Sequence, residues 1–297
     1  MAVNRADLYP VVDESSGPQG ISYWGNVWRR FRVNRMAVAS LWFVGLLILC
    51  GVFAPFVAPH GYNEIHLEDA YQSPSWRHLA GTDEIGRDIF SRLIFSLQNA
   101  LAIAFGATVI SVSVGGVIGA VAGYWGGRID SVLMRMTDVM YAFPGFLFSI
   151  ILVSVLGRGI VTIFISLAVT SWVGFARLMR GQVLSIKNSE YVEAARALGA
   201  THRHIIWRYI LPNSLGPLIV SIAFLIPGAI MTESALSLLG LGVMPPRPSW
   251  GILINVGSAN LRAFPYQLYW PVATFGVTLL AFTYLGDGLN DAFNPKE

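Results

Sequence analysis

The 297-residue chain is 54% hydrophobic and 12% charged, against about 25% charged residues in soluble domains, so its composition describes a membrane protein and excludes an ordinary soluble domain. Its 20 Lys and Arg against 17 Asp and Glu leave a small positive balance, which in a membrane protein reflects arginine gathered at cytoplasmic loops and calls for no nucleic acid partner. The single cysteine, Cys50, lies in an apolar run and allows neither an internal disulfide nor a cysteine-based metal cluster.

A spanning helix needs about 20 apolar residues. Windows without Asp, Glu, Lys or Arg and of about that length occur at 36–59, 93–127, 139–157, 159–176, 209–232 and 263–286, which predicts an all-α polytopic membrane protein with six transmembrane helices. Residues 1–35 form a polar cytoplasmic leader, and 36–59 is the first span, longer than the apolar stretch of a signal peptide and therefore an uncleaved anchor. An external loop follows at 60–98. It is acidic through Glu64, Glu68, Asp69, Asp83, Glu84 and Asp88 and too short for a core of its own. Residues 99–286 hold the five other spans with a long cytoplasmic loop at 177–210, and 287–297 form a cytoplasmic tail. The second window exceeds one span, so its membrane part is placed near 100–122, behind an interfacial or external lead-in. The third and fourth windows meet at Arg158 in a tight hairpin.

With the N-terminus inside, the cytoplasmic segments hold Arg5, Arg29, Arg30, Arg32, Arg35, Arg128, Arg135, Arg177, Arg180, Lys187, Arg196, Arg203, Arg208 and Lys296, which is 14 of the 20 basic residues. That asymmetry is the one expected of cytoplasmic loops.

Within the second window, Ser111, Gly115, Gly119 and Gly123 recur every four residues, a small-residue stripe that lets another helix approach closely. It reads either as a mobile helix interface or as ordinary bundle packing. Pro144, Pro227 and Pro271 lie in or near spans, where proline kinks a helix. No acidic, basic or histidine residue falls inside a window, which argues against self-sufficient ion coupling; Glu233, at the outer end of the fifth, reads as a membrane-boundary residue. There is no HExxH or GxSxG, so no catalytic site is read. Neither lysine follows a glycine, so the chain has no P-loop. Active transport by this chain would draw its energy from another polypeptide.

The stretch Tyr191 to Pro212, YVEAARALGATHRHIIWRYILP, predicts two short cytoplasmic helices. Asn188 or Ser189 caps the first and Glu190 sits in its first turn. Gly199 ends it as a C-cap glycine, Thr201 caps a second helix through Trp207 and Tyr209, and Pro212 opens the fifth span. Tyr191, Val192, Ala195 and Leu198 are expected to face the protein, and Glu193, Ala194, Arg196 and Ala197 the cytoplasm. Physics alone leaves two readings open: a docking surface for a partner's groove, or an amphipathic helix on the membrane.

This stretch resembles the EAA loop of binding-protein-dependent ABC importer permeases, with Glu193, Ala194, Ala195, Gly199, Ile210, Leu211 and Pro212 in the family's spacing. GTDEIGRDIFSRL, AGYWGGRIDSVLMRMTDVMYAFP, ESALSLLGLGVMPPRPSWG and LGDGLNDAFNP resemble segments of the dipeptide/oligopeptide/nickel permease family, in particular its C-type subunit. The resemblance implies the type I ABC importer permease (MetI-like) fold in a prokaryotic inner membrane, both termini cytoplasmic. It also implies four kinds of partner: a B-type permease, two ATPase subunits, an external substrate-binding protein and membrane lipid. ATP and Mg would be used by the ATPases, with no cofactor bound by this chain. Glu193, Ala194, Ala195, Ala197 and Gly199 would form the ATPase-coupling helix, with DSVLMRMTDVM beside it as a second contact or an interface helix. No substrate-binding residue is assigned; Arg247 could meet a substrate carboxylate or be a solvated loop residue. Nothing resembles a nickel-ligand cluster and no metal site is read, which favours di- or oligopeptides over nickel chelates, with glutathione or another small solute as the alternative. A stand-alone carrier or channel is the reading from a different class.

Overall fold

Helices in this chain grow from its apolar runs, and Pro217, Pro227 and Pro271 lie inside helices without ending them. A computed structural model describes residues 23–294; the start of the leader with Arg5, and Pro295 and Lys296 at the other end, lie outside them. Helix α1 (Tyr23–Val33) is amphipathic and buries Val27 and Phe31. Asn34 then caps α2 (Arg35–Val52), its side chain accepting the Ala37 N–H at 3.1 Å. The first span is therefore shorter than the window 36–59. Pro55 offers no N–H to continue the ladder and its ring crowds the preceding turn, so the chain breaks at Phe53 and resumes as one turn, α3 (Ala54–Val57).

The segment between α3 and α4, expected to be external, contains a 3₁₀ turn, Leu67–Asp69, yet it is tightly held. Tyr71 stacks on Phe264 with centroids 4.2 Å apart, Gln267 Nε2 donates to Thr82 O at 3.1 Å, and Asp83 accepts from Arg87 Nε at 2.7 Å. It leads to α4 (Ile89–Trp125), whose 37 residues make about 55 Å of helix, well beyond the roughly 30 Å of a bilayer core. The expected lead-in is thus the first part of one continuous helix. Asp88 caps it by accepting the Ser91 N–H at 2.7 Å, and Ile89, Leu93 and Leu97 bury its opening turns in a core shared with Val44, Trp250 and Phe282.

Helices α5 (Gly127–Tyr141) and α6 (Gly145–Leu156) meet at 76° around Pro144, the N-cap of α6. The window 139–157 is accordingly not one straight span, and the 12 residues of α6 extend only about 18 Å. After Gly157, Arg158 and Gly159, α7 (Ile160–Lys187) runs well past the expected end at 176. The connection expected at 177–210 is shorter: α8 (Glu190–Ala197) and α9 (His202–Ile205) lie between α7 and a π-helical turn, Ile206–Ile210, that continues into α10 (Leu211–Leu238). Pro212 falls in the first turn of α10, as expected, and the π-helical turn runs into that helix without a break. The Leu211 N–H reaches back five residues to Ile206 O, and this wider turn accommodates the proline within a continuous helix. The short apolar α11 (Trp250–Ala259) precedes α12 (Tyr266–Phe293), which carries the expected tail residues 287–293 as helix and presses Gly288 against Ala37.

Among the described residues, five helices are long and apolar enough to cross a membrane, and the bent α5–α6 pair makes a sixth if counted as one span. Among the described residues no strand forms beyond an isolated bridge between Thr82 and Asp88. α4 is the centre of the bundle, packed most extensively on α7. Ser111, Gly115, Gly119 and Gly123 are all buried there: a Cβ on Gly115 would lie 2.5 Å from Trp172 O, and one on Gly119 would run into Ala176 O. The stripe packs two helices of this chain together.

Candidate functional site

One end of the bundle carries α8. Val192 and Ala195, three residues apart, are 0% and 8% exposed, and Val192 joins Val183, Ile186, Ile205 and Ile210 in a shared core. This short apolar stripe anchors the helix and leaves Glu193, Ala194, Arg196, Ala197 and Gly199 exposed. Ala195 faces the protein as expected and so belongs to the anchor of the helix, not to its outer surface. Two expectations need correction. Tyr191 and Leu198 are 47% and 89% exposed, because an eight-residue helix has room for only one buried stripe and the chain turns away at Leu198. Ser189 occupies the N-cap position, but its hydroxyl donates to Ile186 O at 2.6 Å and does not cap the helix. Gly199 does end the helix as expected, with φ of +85° and its N–H donating to Arg196 O at 3.0 Å. The Thr201 side chain accepts the His204 N–H at 3.3 Å.

Polar contacts tie this end of the bundle together. Lys187 Nζ donates to Tyr124 O at 2.5 Å, and Tyr124 Oη pairs with His202 Nδ1 at 2.7 Å, so the helices on either side of α8 both meet the end of α4. Arg180 grips Asp130 with two hydrogen bonds of 2.6 and 2.7 Å, and Arg177 reaches Asp138 at 2.6 Å. DSVLMRMTDVM, within α5, therefore lies along α7. Bidentate arginine pairs have strict geometry, and a partly exposed one is worth up to about 1 kcal/mol. Asp130→Arg and Arg180→Asp should each lower the thermal midpoint of the purified protein, and the double exchange should recover most of the loss; equal losses in all three would remove the pair from the account.

A second feature lies midway along the bundle. Thr108, Ser111, Ser149, Thr170, Ser171 and Thr232, from α4, α6, α7 and α10, line a cleft of about 270 Å³. Most of these hydroxyls donate within their own helices: Ser149 to Gly145 O at 3.0 Å, Thr170 to Ser166 O at 3.0 Å and Thr232 to Gly228 O at 2.9 Å. Thr170 and Thr232 are partly exposed, whereas Ser111 and Ser149 are fully buried. Among the described residues, Thr108 Oγ1 is buried without a hydrogen-bond partner. Isolated Ser and Thr in apolar windows carry no spacing signal, and Ser111 stood out only as a small residue. Glu233 is also a polar group held within the bundle. It lies inside α10, fully buried, and accepts from Ser237 Oγ at 2.8 Å and Ser234 Oγ at 3.2 Å. Arg247 is exposed in the loop between α10 and α11.

Residues 115–297 match the family model described as binding-protein-dependent transport system inner membrane component. The chain belongs to that family. Residues 22–74 of this permease match a second model, the N-terminal TM domain of oligopeptide transport permease C. The permease is 42% identical over 277 residues to the dipeptide transport system permease protein DppC of Bacillus subtilis (strain 168), covering 93% of this chain and 87% of that one. It is 38% identical to the oligopeptide transport system permease protein OppC of the same organism, covering 95% and 93%. It is 40% identical to the glutathione transport system permease protein GsiD of Escherichia coli O6:K15:H31 (strain 536 / UPEC), covering 92% and 90%. A solved structure of the MetNI methionine ABC transporter in inward-facing conformations shares the fold, with a TM-score of 0.57 at 16% identity over 69% of this permease and 98% of that chain.

Proposed function

We propose that this permease forms half of the translocation pathway of an ATP-driven importer of di- or oligopeptides. A B-type permease would supply the other half, two ABC ATPases would use ATP and Mg, and an external binding protein would deliver substrate. The observation that carries the reading is the outer face of α8: Glu193, Ala194, Arg196, Ala197 and Leu198 exposed on a helix anchored by Val192 and Ala195. Small side chains let a helix sit deep in a groove, flanking charges set its register, and Leu198 adds an apolar anchor of the kind interfaces bury at their centre. Closure of the ATPase pair would move α8 as a rigid lever, and its packing on α7 and the π-helical turn would pass the movement to α4 and α10. The hydroxyl-lined cleft suits a substrate rich in amide donors and acceptors, and the names of the similar permeases (dipeptide, oligopeptide, glutathione) share that chemistry.

The end carrying α8 faces the cytoplasm in this reading, and Trp76, 98% exposed in the external segment, faces outward. Cross-linking tests both points. In a Cys50→Ser background, Leu198→Cys should cross-link to an ATPase subunit with a yield that changes on adding ATP, and should resist an impermeant maleimide in intact cells. Trp76→Cys should show the opposite pattern. Uptake by this chain reconstituted alone would instead establish a stand-alone carrier. Competition for uptake among dipeptides, longer peptides and glutathione would assign the substrate.

A further inference from the structure

Three side chains well separated in sequence meet over the N-terminus of α4, at the end of the bundle opposite α8. They are His60 after α3, His78 in the external segment and Asp88, the cap of α4; one ligand atom from each lies within 4.8 Å of the others. His78 and Asp88 are 1% and 3% exposed, while the His60 side chain keeps 25% exposure and an opening to solvent. The two imidazoles stack with centroids 5.1 Å apart. His78 Nδ1 is 3.0 Å from Asp88 Oδ1, and His60 Nδ1 is 3.9 Å from Asp88 Oδ2. His78 Nε2 points toward Asp69 Oδ2 at 3.8 Å, and Asp69 is itself 4% exposed.

Hydrogen bonding leaves this cluster incomplete. Among the described residues, His60 Nδ1, His78 Nε2 and Asp69 Oδ2 are buried without a hydrogen-bond partner, a state that buried polar groups rarely tolerate. An imidazolium at His78, bridging Asp88 and Asp69, would engage two of these atoms and leave His60 Nδ1 orphaned. A divalent cation bound by His60 Nδ1, His78 Nδ1 and an Asp88 oxygen engages all three. The ion takes the His60 lone pair and, by occupying His78 Nδ1, places the His78 proton on Nε2, facing Asp69. A ligating histidine whose second nitrogen donates to a carboxylate is the usual outer arrangement of a metal site. Asp69 is in turn positioned by Gln72 Nε2, which donates to it at 2.5 Å, and by Arg77 at 3.4 Å.

We propose that His60, His78 and Asp88 form a zinc-type divalent metal site that clamps the external segment onto the start of α4, with Asp69 as the positioning residue for His78. Two imidazoles and one carboxylate are a ligand set suited to zinc, with the fourth position left for water. Tetrahedral ligands at 2.0–2.1 Å from zinc stand about 3.3 Å apart, so the ligand atoms, which lie within 4.8 Å of one another, close by up to about 1.5 Å, mainly through movement of the partly exposed His60 ring. The site is independent of the transported substrate, and its failure would leave the transport reading untouched.

The test uses the assembled transporter carrying no polyhistidine tag, treated with EDTA and then titrated with Zn²⁺ or Co²⁺. The wild type is expected to retain stoichiometrically more zinc per permease chain than His60→Ala, and to show a visible cobalt spectrum of tetrahedral type that this variant lacks. Asp69→Asn keeps every ligand and should bind zinc about 10–100-fold more weakly. Equal zinc content and equal cobalt spectra in wild type and His60→Ala would overturn the site; a His78 imidazolium alone gives that result. Should His60→Ala fail to assemble, unchanged affinity in Asp69→Asn together with a wild-type cobalt spectrum lacking histidine-to-metal character would overturn it equally.

Discussion

Replacing Gly199 with valine is expected to reduce ATP-linked uptake by roughly 5–30-fold while the chain still inserts in the membrane. The residue has φ of +85°, and a Cβ built on it meets nothing within 4 Å, so the penalty is one of backbone conformation and not of crowding. Left-handed backbone costs an ordinary L-residue about 1–2 kcal/mol, and a β-branched residue there is an outlier. The chain relieves that cost by changing the exit from α8, which moves the outer face of the helix relative to Val192 and Ala195. Asparagine tolerates this conformation best among non-glycine residues, so activity should fall in the order Gly, Asn, Ala, Val. Loss of uptake in Asn and Val variants alike would point to a steric clash with the partner and away from a backbone requirement. Glu193→Lys, on the exposed face in the first turn of α8, should also impair coupling, through reversed charge and without altering the turn.

The difference between sequence and structure follows the same physics. Apolar windows are additive along the chain, so the all-helical bundle was legible in advance. Helix ends were not: α4, α7 and α10 each continue past the apolar limit because burial and polar ties outside the bilayer, such as Asp88 to Ser91 or Arg180 to Asp130, hold the additional turns. The turn at Gly199 was legible because its signal is local. The inward position of Val192 and Ala195 was legible from their spacing, whereas the exposure of Tyr191 and Leu198 depends on where one short helix sits on α7 and the π-helical turn, on which spacing is silent. The hydroxyls of the cleft come from four helices far apart in sequence, and His60, His78 and Asp88, though within one segment, stand 18 and 10 residues apart with no metal-ligand spacing to mark them.

Gly119→Ala should destabilise the permease by about 1–3 kcal/mol, the usual range for forcing extra volume into a packed interior. Helix propensity alone predicts the opposite, since alanine is favoured over glycine in a helix by about 0.8–1 kcal/mol. Packing decides the sign: a Cβ on Gly119 runs into the backbone oxygen of Ala176 and crowds Met179 Cβ at 2.8 Å. A carbonyl oxygen in a helix cannot rotate aside as a side chain can, so α4 and α7 must separate. Separation would also disturb Ser111 against Ser171, 2.5 Å apart on the same interface. Gly116 provides the control within one turn, because its added Cβ meets only Phe175 Cε1 at 3.6 Å, an ordinary contact. Gly116→Ala should therefore leave the thermal midpoint unchanged or raise it, while Gly119→Ala lowers it by several degrees and reduces the yield of assembled protein. If both variants melted at the same temperature, close approach of α4 and α7 would cease to be the reason for the glycine stripe.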